Sequence, residues 1–140
     1  MRIRLALSAG SLLVAAVAAA AGTAHAGPAD ALSVDAYGTV AADGTVTVSG
    51  TYRCLDDSAG PVFVGSTLVQ GDRSTGIGGT RAVCDGRIRD WTNSSVVKDP
   101  AYRAGAAEVR ATLVQLTPSG PLGVPMPGFL ATEESAVILG

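Results

Sequence analysis

The side chains that could carry chemistry in this chain are few, and their types narrow the field. The single histidine, His25, closes an apolar N-terminal run and is expected to leave with it, so the mature chain holds none. Without histidine, neither a Ser-His-Asp nor a Cys-His constellation can be assembled, and a zinc site lacks its usual ligands. Two cysteines remain, Cys54 and Cys84. They do not form a CxxC pair and have no histidine to activate a thiolate, so a structural disulfide is the expected role. Closing a loop of about thirty residues, such a bond contributes roughly 3–4 kcal/mol in the chain-entropy model.

The carboxylates are the remaining candidates. Glu133 and Glu134 are neighbours, and neighbours in a strand point to opposite faces, so they read as solvated charges. Asp56 and Asp57 follow Cys54, and Asp85 follows Cys84, so the disulfide would gather three carboxylates at one pole. Oxygen-rich clusters suit calcium, and two carboxyls facing across a cleft would suit a glycosidase. The competing reading is ordinary use of Asp in turns. Gly76-Ile77-Gly78-Gly79 lacks the spacing and the following helix of a phosphate loop. Asn93-Ser94-Ser95 matches a glycosylation sequon, but an Arg-heavy, Lys-poor composition suggests a bacterial source, where the match means little. Arg81, Arg87 and Arg89 could bind an anion, though Asp85 and Asp90 interleave with them as on a solvated hairpin face. Trp91, Tyr37, Tyr52 and Tyr102 could line a sugar site; Tyr52 and Trp91 read better as core anchors. A Pro/Gly-rich stretch, Thr117 to Phe129, is expected to be a stiff extended loop. With Pro118, Pro121, Pro125, Met126 and Pro127, it is the candidate partner-contact element.

Arg2 and Arg4, an apolar run from Leu5 to Ala21, and Ala24-His25-Ala26 together form a signal-peptide pattern, with cleavage expected after Ala26. No basic stop-transfer cluster follows, so no membrane anchor is expected after cleavage. Residues 27–140 then form one secreted, extracellular domain of 140 − 26 = 114 residues, with eight basic and twelve acidic side chains. A net charge of 8 − 12 = −4 argues against nucleic acid and against electrostatic attachment to anionic lipid.

The elements that must position these residues read as strands. Leu32, Val34 and Ala36 alternate with polar neighbours, and Asp43-Gly44 marks a turn. Val46, Val48, Gly50, Tyr52 and Cys54 share one face of a run whose other face is Thr, Ser and Arg. Leu55 to Pro61 is a loop, and Val62 to Gln70 is apolar enough for a central strand. Gly71 to Gly79 reads as a flexible connection. Thr80 to Cys84 and Arg87 to Thr92 read as a hairpin around Asp85-Gly86, which would put Arg87, Arg89 and Trp91 on one face, a conflict that a bulge or an edge position would resolve. Asn93 to Arg103 reads as irregular. Ala107, Val109, Ala111 and Leu113 mark another inner face, and Ala136 to Leu139 suits a closing strand. The expected fold is all-β, an antiparallel immunoglobulin-like sandwich of about seven strands with one disulfide.

The runs GTYRC (50–54), GPVFV (60–64) and GIGGTRAVCDG (76–86), with Trp91 beyond them, resemble an uncharacterised family of small secreted actinobacterial proteins, a domain of unknown function. The resemblance spans Leu32 to Leu116. It implies an exported, disulfide-bonded β-domain and no known activity, ligand or catalytic residue. The expectation is therefore a non-catalytic binding or structural module without a cofactor. Its partner would be an extracellular protein, an envelope polymer or a small apolar ligand between the sheets. The alternatives are a protease inhibitor presenting the loop around Met126 and, more remotely, a carboxylate-based hydrolase using Asp56, Asp57 or Asp85.

Overall fold

A computed structural model describes residues 29–140; the expected signal peptide, residues 1–26, lies outside the described residues. Among the described residues every regular element is a strand: β1 (Ala31–Val34), β2 (Tyr37–Val40), β3 (Thr45–Arg53), β4 (Val62–Gln70), β5 (Arg73–Arg81), β6 (Ile88–Val96), β7 (Gly105–Ser119) and β8 (Val124–Leu139). The count is eight rather than about seven. Asp35-Ala36 breaks the first run into two strands, and the stretch expected to be a flexible connection is β5.

That stretch pairs because its glycines need no face of their own. Ile77 supplies the single buried side chain of β5, and Gly71-Asp72 makes the tight turn from β4. A shift of register between Gly65 and Thr67 absorbs the irregular glycine spacing. The hairpin expected around Asp85-Gly86 is also corrected. β5 pairs with β4, β6 pairs with β3, and residues 82–87 cross between them. Freed from that hairpin, β6 turns Trp91 and Asn93 inward and extends to Val96, so the stretch expected to be irregular from Asn93 begins later.

β3 is flanked on one edge by β6 along its whole length and on the other by β1 and then β2. β4 lies between β5 and β7, and β7 pairs with β8. β2 joins these two groups into one sheet. Thr39 and Val40 pair with β3, while Tyr37 and Gly38 run parallel to Ile138 and Leu139 of β8. That parallel contact is the one departure from antiparallel pairing. The connectivity is compatible with an immunoglobulin-like sandwich.

The two inner faces meet in one core. Val46, Val48, Tyr52 and Trp91 line one wall; Val62, Val64, Leu68, Ile77, Val109, Leu113, Val137 and Leu139 line the other. Cys54 and Cys84 are bonded and tie the end of β3 to the β5–β6 crossing. The Tyr52 hydroxyl accepts the Val83 N–H at 2.8 Å, and Gly86 N–H donates to Cys54 O at 2.9 Å, so the crossing is pinned twice more.

Two polar features hold the walls in place. The Trp91 indole N–H donates to Ser33 O at 3.0 Å, reaching across Gly50. A Cβ on Gly50 would lie 1.9 Å from Ser33 O and 2.8 Å from Trp91 Nε1, so only glycine lets the ring and β1 close over β3. Asn93, buried, donates to Val64 O at 3.1 Å and Ser66 Oγ at 2.9 Å, and accepts from Thr80 Oγ1 at 2.6 Å. Ser66 Oγ donates onward to Ile77 O at 2.6 Å. This network satisfies every polar group that it buries, as such networks must.

Gly50→Ala is expected to cost about 2–4 kcal/mol, from overpacking plus loss of the indole bond. Gly76→Ala, whose Cβ would meet open space, is the matched control, expected within about 0.5 kcal/mol of the parent. Urea unfolding midpoints of the two variants measure the difference.

Candidate functional site

At the disulfide pole Asp56 and Asp85 each engage partners of their own. Asp56 accepts hydrogen bonds from the backbone N–H and hydroxyl of Ser58, both at 2.9 Å. Asp85 accepts from the Arg89 guanidinium at 2.5 Å and from the Arg87 N–H at 3.1 Å. The Arg89 hydrogen bond, then that of Arg87, hold the Asp85 carboxyl down to about 2. Its charge is thus already matched. Among the described residues no three His, Cys, Asp or Glu side chains come together where they could share a metal ion. Glu134 lies opposite Arg110 on the outer face, and Glu133 lies opposite Ala111, so the adjacent glutamates diverge.

The aromatic residues are also dispersed. Tyr52, Trp91 and Tyr102 are buried and Tyr37 is exposed, so the four do not line one sugar site. Tyr102 donates to Leu68 O at 3.1 Å and stacks beneath Arg73, whose guanidinium carbon is 4.4 Å from the ring centre. Asn93 is occupied inside the core, which removes the sequon from the surface.

The Pro/Gly-rich stretch is where the structure departs furthest from expectation. Thr117 to Phe129 is a two-stranded ribbon, the ends of β7 and β8 paired from Leu116–Pro127 out to Ser119–Val124. Gly120-Pro121-Leu122-Gly123 closes it, with the Gly123 N–H donating to Gly120 O at 3.1 Å and Pro121 where such turns favour it. Positive φ at Gly120 and Gly123 lets the turn reverse so tightly. β4 stops at Val62, opposite Gln115, so the ribbon projects past its neighbour. All thirteen residues from Thr117 to Phe129 are exposed.

The pairing dictates what the ribbon presents. In an antiparallel pair, opposite residues alternate between exchanging N–H···O bonds and turning those groups outward. Pro118 stands opposite Pro125, and neither has an N–H, so this is an outward pair. Leu116–Pro127, two residues along, is outward too, and the Leu116 N–H does point away, to Pro61 O at 2.9 Å. Pro118, Pro125 and Pro127 therefore all sit where a donor would face a free edge. The edges are closed to an added strand, and the side chains are what the ribbon presents.

Those side chains are apolar. Phe63, Val114 and Phe129 form one cross-strand row on the outer face, continued along the ribbon by Leu116 and Pro127 and then Pro118 and Pro125. The chain's only two phenylalanines thus lie outside the core. The opposite face carries Val124 and Met126, and Leu122 leads at 88% exposure. Of the anticipated contact residues, Pro118, Pro125, Met126 and Pro127 lie on the paired strands and Pro121 in the turn. Leu122 and Phe129 fall within the anticipated stretch without being singled out, whereas Phe63, far upstream in the chain, joins them only through the pairing of β4, β7 and β8, which residue order does not display.

A disulfide-bonded all-β domain with one projecting apolar ribbon is thus the class of protein defined here. The chain belongs to the family of unknown function DUF6299, whose profile matches residues 28–140, so family membership extends through the ribbon and the last strand. No curated protein matches the chain. Among solved structures, a Bordetella pertussis protein assigned as ApaA is similar at 14% identity over 78% of this chain and 95% of its own, with a TM-score of 0.33. A likeness of that size carries no argument.

Because its folded pKa lies below the ordinary carboxylate value of about 3.9, Asp85 contributes stability above that pH that is lost as pH falls toward 2. Thermal melts between pH 5 and pH 2 are expected to fall less steeply for Asp85→Asn than for the parent. Parallel slopes would show that the Arg89 pair contributes nothing.

Proposed function

We propose that this chain is an exported, non-catalytic binding module that meets an extracellular or envelope partner through the β7–β8 ribbon. The observation that carries the reading is the exposure of thirteen consecutive uncharged residues, Thr117 to Phe129, whose apolar side chains lie outside the buried core. Contiguous exposed apolar surface is costly to solubility and marks interaction sites. The ribbon is also rigid. Strand pairing, the proline content and the closed turn mean that little conformational freedom is lost on docking.

Support for export comes from the N-terminal signal pattern and from the Cys54–Cys84 bond, which is compatible with an extracellular location. The non-catalytic reading follows from the dispersal of the carboxylates and from Asp85's engagement by Arg89. A protease inhibitor would need an unpaired, extended segment around Met126, and the pairing of Met126 with Thr117 weighs against it.

Replacing Pro118–Pro125 with Asn-Gly would close the hairpin on the bonded pair Thr117 and Met126. The shortened protein is expected to melt within a few degrees of the parent and to lose capture of its partner from secreted and envelope fractions. Unchanged capture would remove the ribbon from the function, and a collapsed melting temperature would make it a structural element instead.

A further inference from the structure

We propose that the tip of the ribbon seats in an uncharged lipid surface. This deepens the docking role just assigned to the ribbon and rests on it.

The distribution of apolar side chains separates a lipid surface from a protein groove. Phe129, Pro127 and Pro125 lie on one face of the ribbon, Val124 and Met126 on the other, and Leu122 at the turn. A groove, or the same face of a second copy, covers one side of a ribbon and leaves the other in water. A lipid phase surrounds the tip, and both faces leave water together.

Charge points the same way. From Leu116 to Thr132 the chain carries no ionisable side chain, so nothing on the ribbon opposes entry into an apolar phase. It also carries no lysine or arginine to engage anionic headgroups, and the chain as a whole is negative at −2. Arg110, Glu133 and Glu134 stand below the ribbon, toward the body of the sheet. A zwitterionic surface suits this arrangement and an acidic one does not.

The backbone completes the case. Hydrocarbon penalises each unpaired N–H, which is why open sheet edges stay out of it. Here the strands satisfy one another at Thr117–Met126 and Ser119–Val124, and the outward positions at 118, 125 and 127 are prolines with no N–H to satisfy. The outward carbonyls remain, so the tip rests at the headgroup boundary and does not cross. Four residues beyond Gln115 reach roughly 14 Å, enough to enter the 5–10 Å or so of that boundary while the sheet stays in water.

The test uses the purified, oxidised protein with phosphatidylcholine vesicles. Flotation is expected in both low and molar salt, and Leu122→Trp is expected to shift its emission to shorter wavelength on vesicle addition, Trp91 being buried. Leu122→Asp and Phe129→Asp, both at exposed positions, are expected to weaken flotation about tenfold or more with unchanged melting temperature. Absence of flotation at millimolar lipid, flotation only on anionic vesicles, or binding that molar salt abolishes would each overturn the proposal. A concentration-dependent dimer dissolved by Leu122→Asp would overturn it in favour of a second copy. If vesicles fail but the shortened ribbon still loses a protein partner, the lipid assignment alone falls and the docking role stands.

Discussion

The closure of Trp91 over Gly50 is the constraint on which the rest of the domain depends. The ring is the largest side chain in the core, and it fills the space above β3 that a Cβ at position 50 would occupy. Its N–H reaches Ser33 O, so one side chain holds β6, β3 and β1 together. Everything on the opposite wall, from Val62 on β4 to Leu139 on β8, packs against the surface thus formed. The disulfide secures the same end of β3, where the chain must leave one wall and return on the other.

From that closure the remaining polar arrangements follow. β1 and β2 share an edge of β3, and the break between them at Asp35-Ala36 lets β2 turn away to meet β8. Asp35 marks the break: its N–H donates to Ser49 O at 2.8 Å and its carboxylate accepts the Ser49 hydroxyl at 2.8 Å. At the opposite edge β5 and β6 approach without pairing, and Asn93, Ser66 and Thr80 fill the gap with hydrogen bonds. A buried amide so fully satisfied specifies one alignment of the two walls.

The same core sets the limit beyond which the ribbon is free. Leu113 and Ala131 are the last inward pair of β7 and β8, and a shift of register follows at once, leaving Leu130 as the extra residue. From Thr117 on, past this bulge, the apolar residues are exposed and lie outside the buried core. Their presence is a cost to solubility unless another surface covers them. The prolines fit this reading, since they close the edges of an exposed ribbon to strand addition while leaving its faces open.

Period-two alternation made β3, β4 and the inner face of β7 legible from residue order, because each buries one set of side chains against a single wall. Cysteine count and the lack of histidine beyond His25 likewise required no structure to read. β5 was hidden, because its glycines carry no alternation and its pairing comes from β4 alone. Thr117 to Phe129 reads as a loop in residue order because prolines argue against strands, and they do so only where an N–H must bond inward. Which way each N–H points depends on register, and register is a relation between β7 and β8 that neither strand contains. Residue order alone thus determined the class of fold, the disulfide and the chemistry available. Tertiary structure decided which strands pair, that Phe63 and Phe129 lie outside, and that the proline-rich stretch is a paired, exposed ribbon, because pairing and burial are set by partners distant in the chain.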